Sequence, residues 1–225
     1  MKERHTKKII IIILLCIFAA GLNYLLNTIS VYLIKIPLFL DTVFNAAVCF
    51  AAGLIPGIAT ALLSYTALSI RNGNFDPFIL CAITEVFLIW RFKPQTDSEK
   101  NKLKEQHTRT YPESALTSYV SIFARLMLLY IVCCISISIL GGFIDFIYYN
   151  VMANSKQYFS AEDTFKIGLL RSGIPVLAMN ILSRIPVNLV DRFIVIFGGY
   201  FVSRLIRRMT VPMVAAIFFG TCYLL

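Results

Sequence analysis

Apolar residues run along this chain in long blocks, divided by shorter polar stretches. The block Leu38–Ile70 is broken by Asp41 near its start and by a Gly-Leu-Ile-Pro-Gly turn at its middle. The pattern predicts two membrane helices folded back on each other, over 38–55 and 57–70. Pro56 lacks an amide hydrogen and disfavours helical geometry at Ile55, so the turn is expected there. Gly53, Gly57 and Ala61 fall four apart. In lipid, apolar surface alone does not drive association, so these small residues are expected to bring helices close. Further apolar runs predict spans at 9–26, 78–90, 117–144 and 186–206. The first covers about 27 Å at roughly 1.5 Å per residue, near the hydrocarbon thickness.

The polar remainder completes the picture. Residues 93–112 form the long polar segment, rich in Lys and expected as a cytoplasmic loop. Phe165–Ser183 is apolar but carries Lys166, Arg171, Gly173 and Pro175. It reads as an amphipathic surface or re-entrant helix, because a crossing there would leave Arg204, Arg207 and Arg208 on the wrong side. Met209–Leu225 is a short apolar helix, read either as a seventh, marginal span or as an interfacial helix. The expected fold is therefore all-α: a polytopic integral membrane protein in one domain over 1–225. It has a six-helix bundle, an additional amphipathic helix and a short apolar C-terminal helix.

Composition agrees. Of 225 residues, 58% are hydrophobic and 15% charged, which excludes a disordered chain and departs from ordinary soluble domains. The net charge of +9 would suggest nucleic acid in a soluble protein. Here the basic residues gather at the N-terminus, in 93–112 and at Arg204–Arg208. That is an orientation signal, so the expectation is no nucleic acid, a lipid bilayer partner and a cytoplasmic N-terminus in the cell membrane. The first apolar run continues past Ala19-Ala20-Gly21, so an uncleaved first span is expected rather than a signal peptide. All six cysteines lie in apolar stretches without a Cys-x-x-Cys pair, and both histidines, His5 and His107, lie in polar ones. Buried packing cysteines are expected, with no metal and no cofactor. No P-loop, GxSxG, HExxH or dinucleotide fingerprint occurs, so an enzyme is not expected. Any ATP-driven step must come from another subunit.

Candidate chemistry centres on Arg184-Ile185-Pro186-Val187-Asn188-Leu189-Val190-Asp191-Arg192. Pro186 suits the start of a helix. Arg184, Asn188 and Asp191 then share one face, in the outer third of the sixth span. Asp41 and Asn45 reach a similar depth on the second, and Asp145, Tyr148 and Tyr149 lie near the outer end of the fifth. Asp41, Asn45, Asp145, Tyr148, Arg184, Asn188 and Asp191 are thus expected to line a polar pocket for a small-molecule ligand, open to the outside. The competing explanation is helix capping plus one internal Arg–Asp pair. Glu85 and Arg125 carry opposite charges at similar depth on consecutive spans, and a structural ion pair between them is expected.

Two stretches carry a resemblance. PLFLDTVFNAAVCFAAGLIPGIATALLS resembles the second and third helices of the substrate-binding S components of energy-coupling factor transporters. RIPVNLVDRFIVIFGGYFVSRLIRR resembles the last helix of that family. The resemblance implies a six-helix membrane subunit that captures a vitamin-like micronutrient from outside. It implies as partners a transmembrane coupling protein and cytoplasmic ATPases. The Ala-x-x-x-Ala docking patch of the family's first helix has Cys16-x-x-x-Ala20 as its nearest counterpart, which makes Cys16 and Ala20 the expected coupling interface. Thr84-Glu85 stands where the family often has a basic residue. Related modules feed histidine kinases, so a stand-alone ligand sensor is the alternative, and a cell-envelope scaffold a third.

Overall fold

The computed structural model describes residues 2–34, 40–94, 115–151 and 161–208. Among them every regular element is helical. Helix α1, Lys2–Thr28, continues in wider turns to Ile34. Cys16, Ala19, Ala20, Asn23 and Asn27 are buried, while Ile9, Ile13, Leu14, Ile17, Phe18 and Leu25 are exposed. The inward positions recur every three or four residues, as one face of a helix requires.

A tight turn at Leu40–Thr42 leads into the short helix α2, Val43–Ala52, and then α3, Leu54–Asn72. The reversal falls at Gly53, not at Ile55–Pro56. Gly53 has φ 101, a conformation costly for any residue with a side chain. Pro56 instead occupies the first turn of α3, where its missing donor is not needed. Gly53 is also not a packing residue, since a Cβ there would meet nothing within 4 Å. Gly57 and Ala61 do pack: Ala61 is fully buried, and a Cβ on Gly57 would lie 2.8 Å from Cys49 Cβ and from Val86 Cγ1.

Helix α4, Ile79–Phe92, starts after a loop in which the Asp76 carboxylate accepts the Phe78 amide hydrogen at 2.9 Å. Helix α5 is Ala115–Asp145, with wider turns to Val151, and α6 is Ala161–Arg171. Helix α7 begins at Val176 and passes through wider turns at Ile194–Gly198 to end its described length at Arg208. Two expectations are corrected here. The 165–183 segment is not one helix but α6, a break, and the first turns of α7. Pro186 lies inside a helix rather than at its start. The break comes from Gly173, at φ 78, and Pro175, whose extended backbone precedes the helix. Pro186 then costs one backbone hydrogen bond.

The longest packed seam joins α5 and α7. Phe193 and Phe197 stack at 4.7 Å between centroids, with Tyr130 and Phe123 of α5 at 5.9 and 6.0 Å. Helices α1, α2 and α3 pack on one another, α4 fills the space between them and α5, and α6 lies on α7. At one end, Cys16 donates to the Pro56 carbonyl and Arg207 to the Phe50 carbonyl. At the other, Arg71 donates to Asn27 and Thr28. The N-terminal half of α1, the α2–α3 turn and the end of α7 therefore share one end of the bundle.

Among the described residues four helices are long and apolar enough to cross a membrane: Ile9–Val31, Leu54–Asn72, Tyr119–Tyr148 and Val176–Arg208. Leu40–Ala52 and α4 are apolar but shorter. Of the expected 93–112 loop only Lys93 and Pro94 belong to the described residues, and Met209–Leu225 lies outside them.

Candidate functional site

Helix α7 buries a polar stripe. Asn180, Ser183, Arg184, Asn188, Asp191 and Arg192 all face the interior. From Arg184 to Arg192 is about 12 Å along the axis at roughly 1.5 Å per residue. The stripe joins two ionic clusters through Asn188, whose amide donates to Ser138 of α5 at 2.9 Å.

The deeper cluster is organised by Arg192, which stands at the midpoint of the described α7. Its Nη1 lies 2.5 Å from Glu85 Oε1 and donates to Thr42 Oγ1 at 3.4 Å. Its Nη2 donates to the adjacent Asp191 carboxylate. Asp41 stands within electrostatic reach of Asp191 and Arg192, with the Tyr65 side chain beside it. Exposure is 4% for Asp41, 1% for Glu85, none for Asp191 and 3% for Arg192. The expected Glu85–Arg125 pair is thus corrected. Arg125 is exposed on the outer face of α5, and Glu85 turns toward α7. A shared depth does not fix a shared face, and α5 directs Leu126 and Leu129 inward instead.

The second cluster gathers around Asp145 at the end of α5. Lys166 Nζ of α6 lies 2.8 Å from Asp145 Oδ2, and Arg184 approaches with Nε at 3.0 Å from Oδ2 and Nη2 at 2.9 Å from Oδ1. The guanidinium thus hydrogen-bonds one carboxylate oxygen and holds its charge against the other. Arg184 also lies over the Phe78 ring at 4.5 Å. Gly141 makes room for it, since a Cβ there would be 2.9 Å from Arg184 Nη1. In the loop nearby, burial pushes the Asp76 carboxyl above its ordinary pKa, partly offset by the Phe78 amide and by Arg184.

Asn45 belongs to neither cluster. Its Oδ1 accepts from Asn23 Nδ2 at 2.8 Å, and that same Nδ2 lies 3.1 Å from Ser64 Oγ. Asn23 Oδ1 in turn accepts the Phe44 amide hydrogen at 3.0 Å, serving an open donor at the start of α2. This arrangement clamps α1, α2 and α3 together. Cys16 and Ala20 are corrected as a coupling interface: both are buried, Cys16 against Val48, and neither offers surface to a partner. Tyr148 is half-buried in the wider turns after α5.

Sequence reasoning thus placed in one pocket residues that the structure divides, with Asp41 and Asp191 in one cluster, Asp145 and Arg184 in another and Asn45 in neither. It missed Arg192, Lys166, Tyr65 and Asn23. The signal for Asn23 was its isolation in an apolar run. Arg192 sat within the motif, but its neighbour Asp191 drew the attention.

An open cavity of about 480 Å³ lies where α3 meets α4. Tyr65, Thr66, Ser69 and Asn74 give it polar groups, and Phe75 and Ile79 apolar walls. None of the seven expected binding residues lines it, but Tyr65 connects it to Asp41. Among the described residues no three His, Cys, Asp or Glu side chains are grouped to hold a metal ion.

Apolar helices of membrane-crossing length around an ionisable interior define a membrane-embedded helical protein. The chain belongs to the Family of unknown function (DUF6040), whose profile matches residues 75–211, more than half of the sequence. No curated protein and no solved structure matches it.

Proposed function

We propose that this protein captures a small polar solute from outside the cell, as the substrate-binding subunit of an importer of energy-coupling factor type. The observation that carries the reading is the cavity at the α3–α4 junction. Its volume falls in the range of small-molecule sites, and its hydroxyl and amide groups are set among apolar walls. Six crossings by α1, α2, α3, α4, α5 and α7 put this cavity outside and both basic ends in the cytoplasm. The charge bias of the N-terminus and of Arg204–Arg208 supports that orientation. The sequence has no nucleotide-binding motif, so a transmembrane coupling protein and cytoplasmic ATPases would supply the energy. The likeness of the stretches around Asp41 and Asn188 to S components supports the assignment of type.

Native mass spectrometry of the protein purified with its partners tests this. The expected result is a retained small molecule that disappears in Thr66→Trp, which fills the cavity mouth, together with co-purified ATPase subunits. A retained molecule without ATPases would replace the importer by a sensor. Neither a molecule nor ATPases would overturn solute capture altogether.

A further inference from the structure

Asp41 stands where the buried cluster meets the open cavity. It is nearly fully buried, and its Oδ1 has no hydrogen-bond partner among the described residues. The charged and titratable groups around it come from four segments. Tyr65 faces it from α3, Asp76 from the following loop, Cys81 and Glu85 lie on α4, and Asp191 and Arg192 on α7. Cys133 of α5 lies beyond, near Glu85 and Arg192. Arg192 already serves Glu85, Thr42 and Asp191 through its two terminal nitrogens.

A buried carboxylate whose cationic neighbour is engaged elsewhere is expensive to keep ionised. It is relieved by a metal cation or by a proton. A hard metal ion wants about six oxygen ligands, and no group of metal-binding side chains is assembled among the described residues. A proton needs one oxygen, and Asp41 Oδ1 is open. Tyr65 stands between that carboxylate and the cavity, because its side chain lies beside Asp41 and forms part of the cavity wall.

We propose that Asp41 is an exchangeable proton site, reached from the cavity through the Tyr65 hydroxyl. On release, the Asp41 hydroxyl swings to the Tyr65 oxygen, and its O–H bond breaks as the proton passes across. Tyr65 gives its own proton to a cavity water, and the hydroxyl rotates back. The net change is a carboxylic acid and water becoming a carboxylate and hydronium, with Tyr65 neutral before and after. If the cavity is the solute site proposed above, filling it expels water and favours the protonated acid. Solute capture then takes up a proton, and affinity falls as pH rises.

The test needs no solute. The full-length protein in phosphatidylcholine nanodiscs is followed by infrared difference spectroscopy from mildly acidic to mildly alkaline buffer. The expected result is a protonated-carboxyl C=O band that bleaches as pH rises and is lost in Asp41→Asn. Tyr65→Phe provides the second variant should Asp41→Asn fail to fold. It removes the hydroxyl that relays the proton, so the band bleaches more slowly after a pH step. A wild-type protein with no titrating carboxyl band overturns the proposal. So does an unchanged band in Asp41→Asn, or a Tyr65→Phe protein whose band bleaches as fast as that of wild type. A titrating Asp41 in a protein that retains no small molecule leaves the proton site standing and removes only the solute reading.

Discussion

Arg192 is held by Glu85 and Asp191 at once, with Thr42 as a third contact, and all four side chains are buried. Removing its charge strands two carboxylates in an interior that cannot solvate them. Arg192→Gln is expected to destabilise the protein by about 3–5 kcal/mol, read by thermal unfolding in detergent. Arg192→Lys should recover part of that, since an ammonium keeps the charge but not the fork. An Arg192→Gln protein as stable as wild type would show the cluster to be already neutralised by protons. The partner of Glu85 was not legible in the sequence because depth along a helix is readable and rotation about its axis is much less so. Depth suggested Arg125, whereas the structure pairs Glu85 with Arg192. Only the packing of α4 between α2 and α5, with Leu126 and Leu129 directed inward, decides between them. Asp41 and Asp191 were legible because each is a lone carboxylate in an apolar run, and such a residue has few places to go.

Helix α7 meets α5 so closely at Gly142 that a Cβ there would stand 2.6 Å from Ile181 Cγ1 and 2.7 Å from Ile181 Cα. Backbone cannot move aside as a side-chain tip can. Gly142→Ala is expected to cost about 1–3 kcal/mol by forcing the two helices apart. Gly21→Ala on α1 is the control. A Cβ there meets nothing within 4 Å, so the change should be neutral or stabilising by up to about 1 kcal/mol. Equal melting temperatures for the two variants would contradict the close seam. The apolar blocks announced the existence of these helices, whereas their ends were less accessible. Pro186 looked like a start because proline favours a first turn. Gly173 and Pro175, lying ten or so positions earlier, form the stronger stop. Once α7 begins at Val176, the helix absorbs the loss of a single hydrogen bond at Pro186.

For the molecule as a whole, the number of helices that traverse the bilayer sets which side each loop faces. Asn74 and Arg208 are both exposed, and α4, α5 and α7 lie between them. Three crossings put the two positions on opposite sides, whereas crossings by α5 and α7 alone put them on the same side. An impermeant maleimide is expected to label Asn74→Cys in intact cells and Arg208→Cys only after permeabilisation, with Cys16, Cys49, Cys81, Cys133 and Cys134 buried. Labelling of both from outside would reduce α4 to a helix that does not cross. The short α2 has no such independence. Its first turn is held by Asn23 from the helix before it, and its last by Arg207, 157 positions further along the chain. At about 5–20 residues per second, a ribosome needs roughly 8–30 s to make that intervening length. During this interval α2 has left the tunnel without its final anchor, so the segment must shelter in the insertion machinery or against α1 and α3 until the closing arginine emerges.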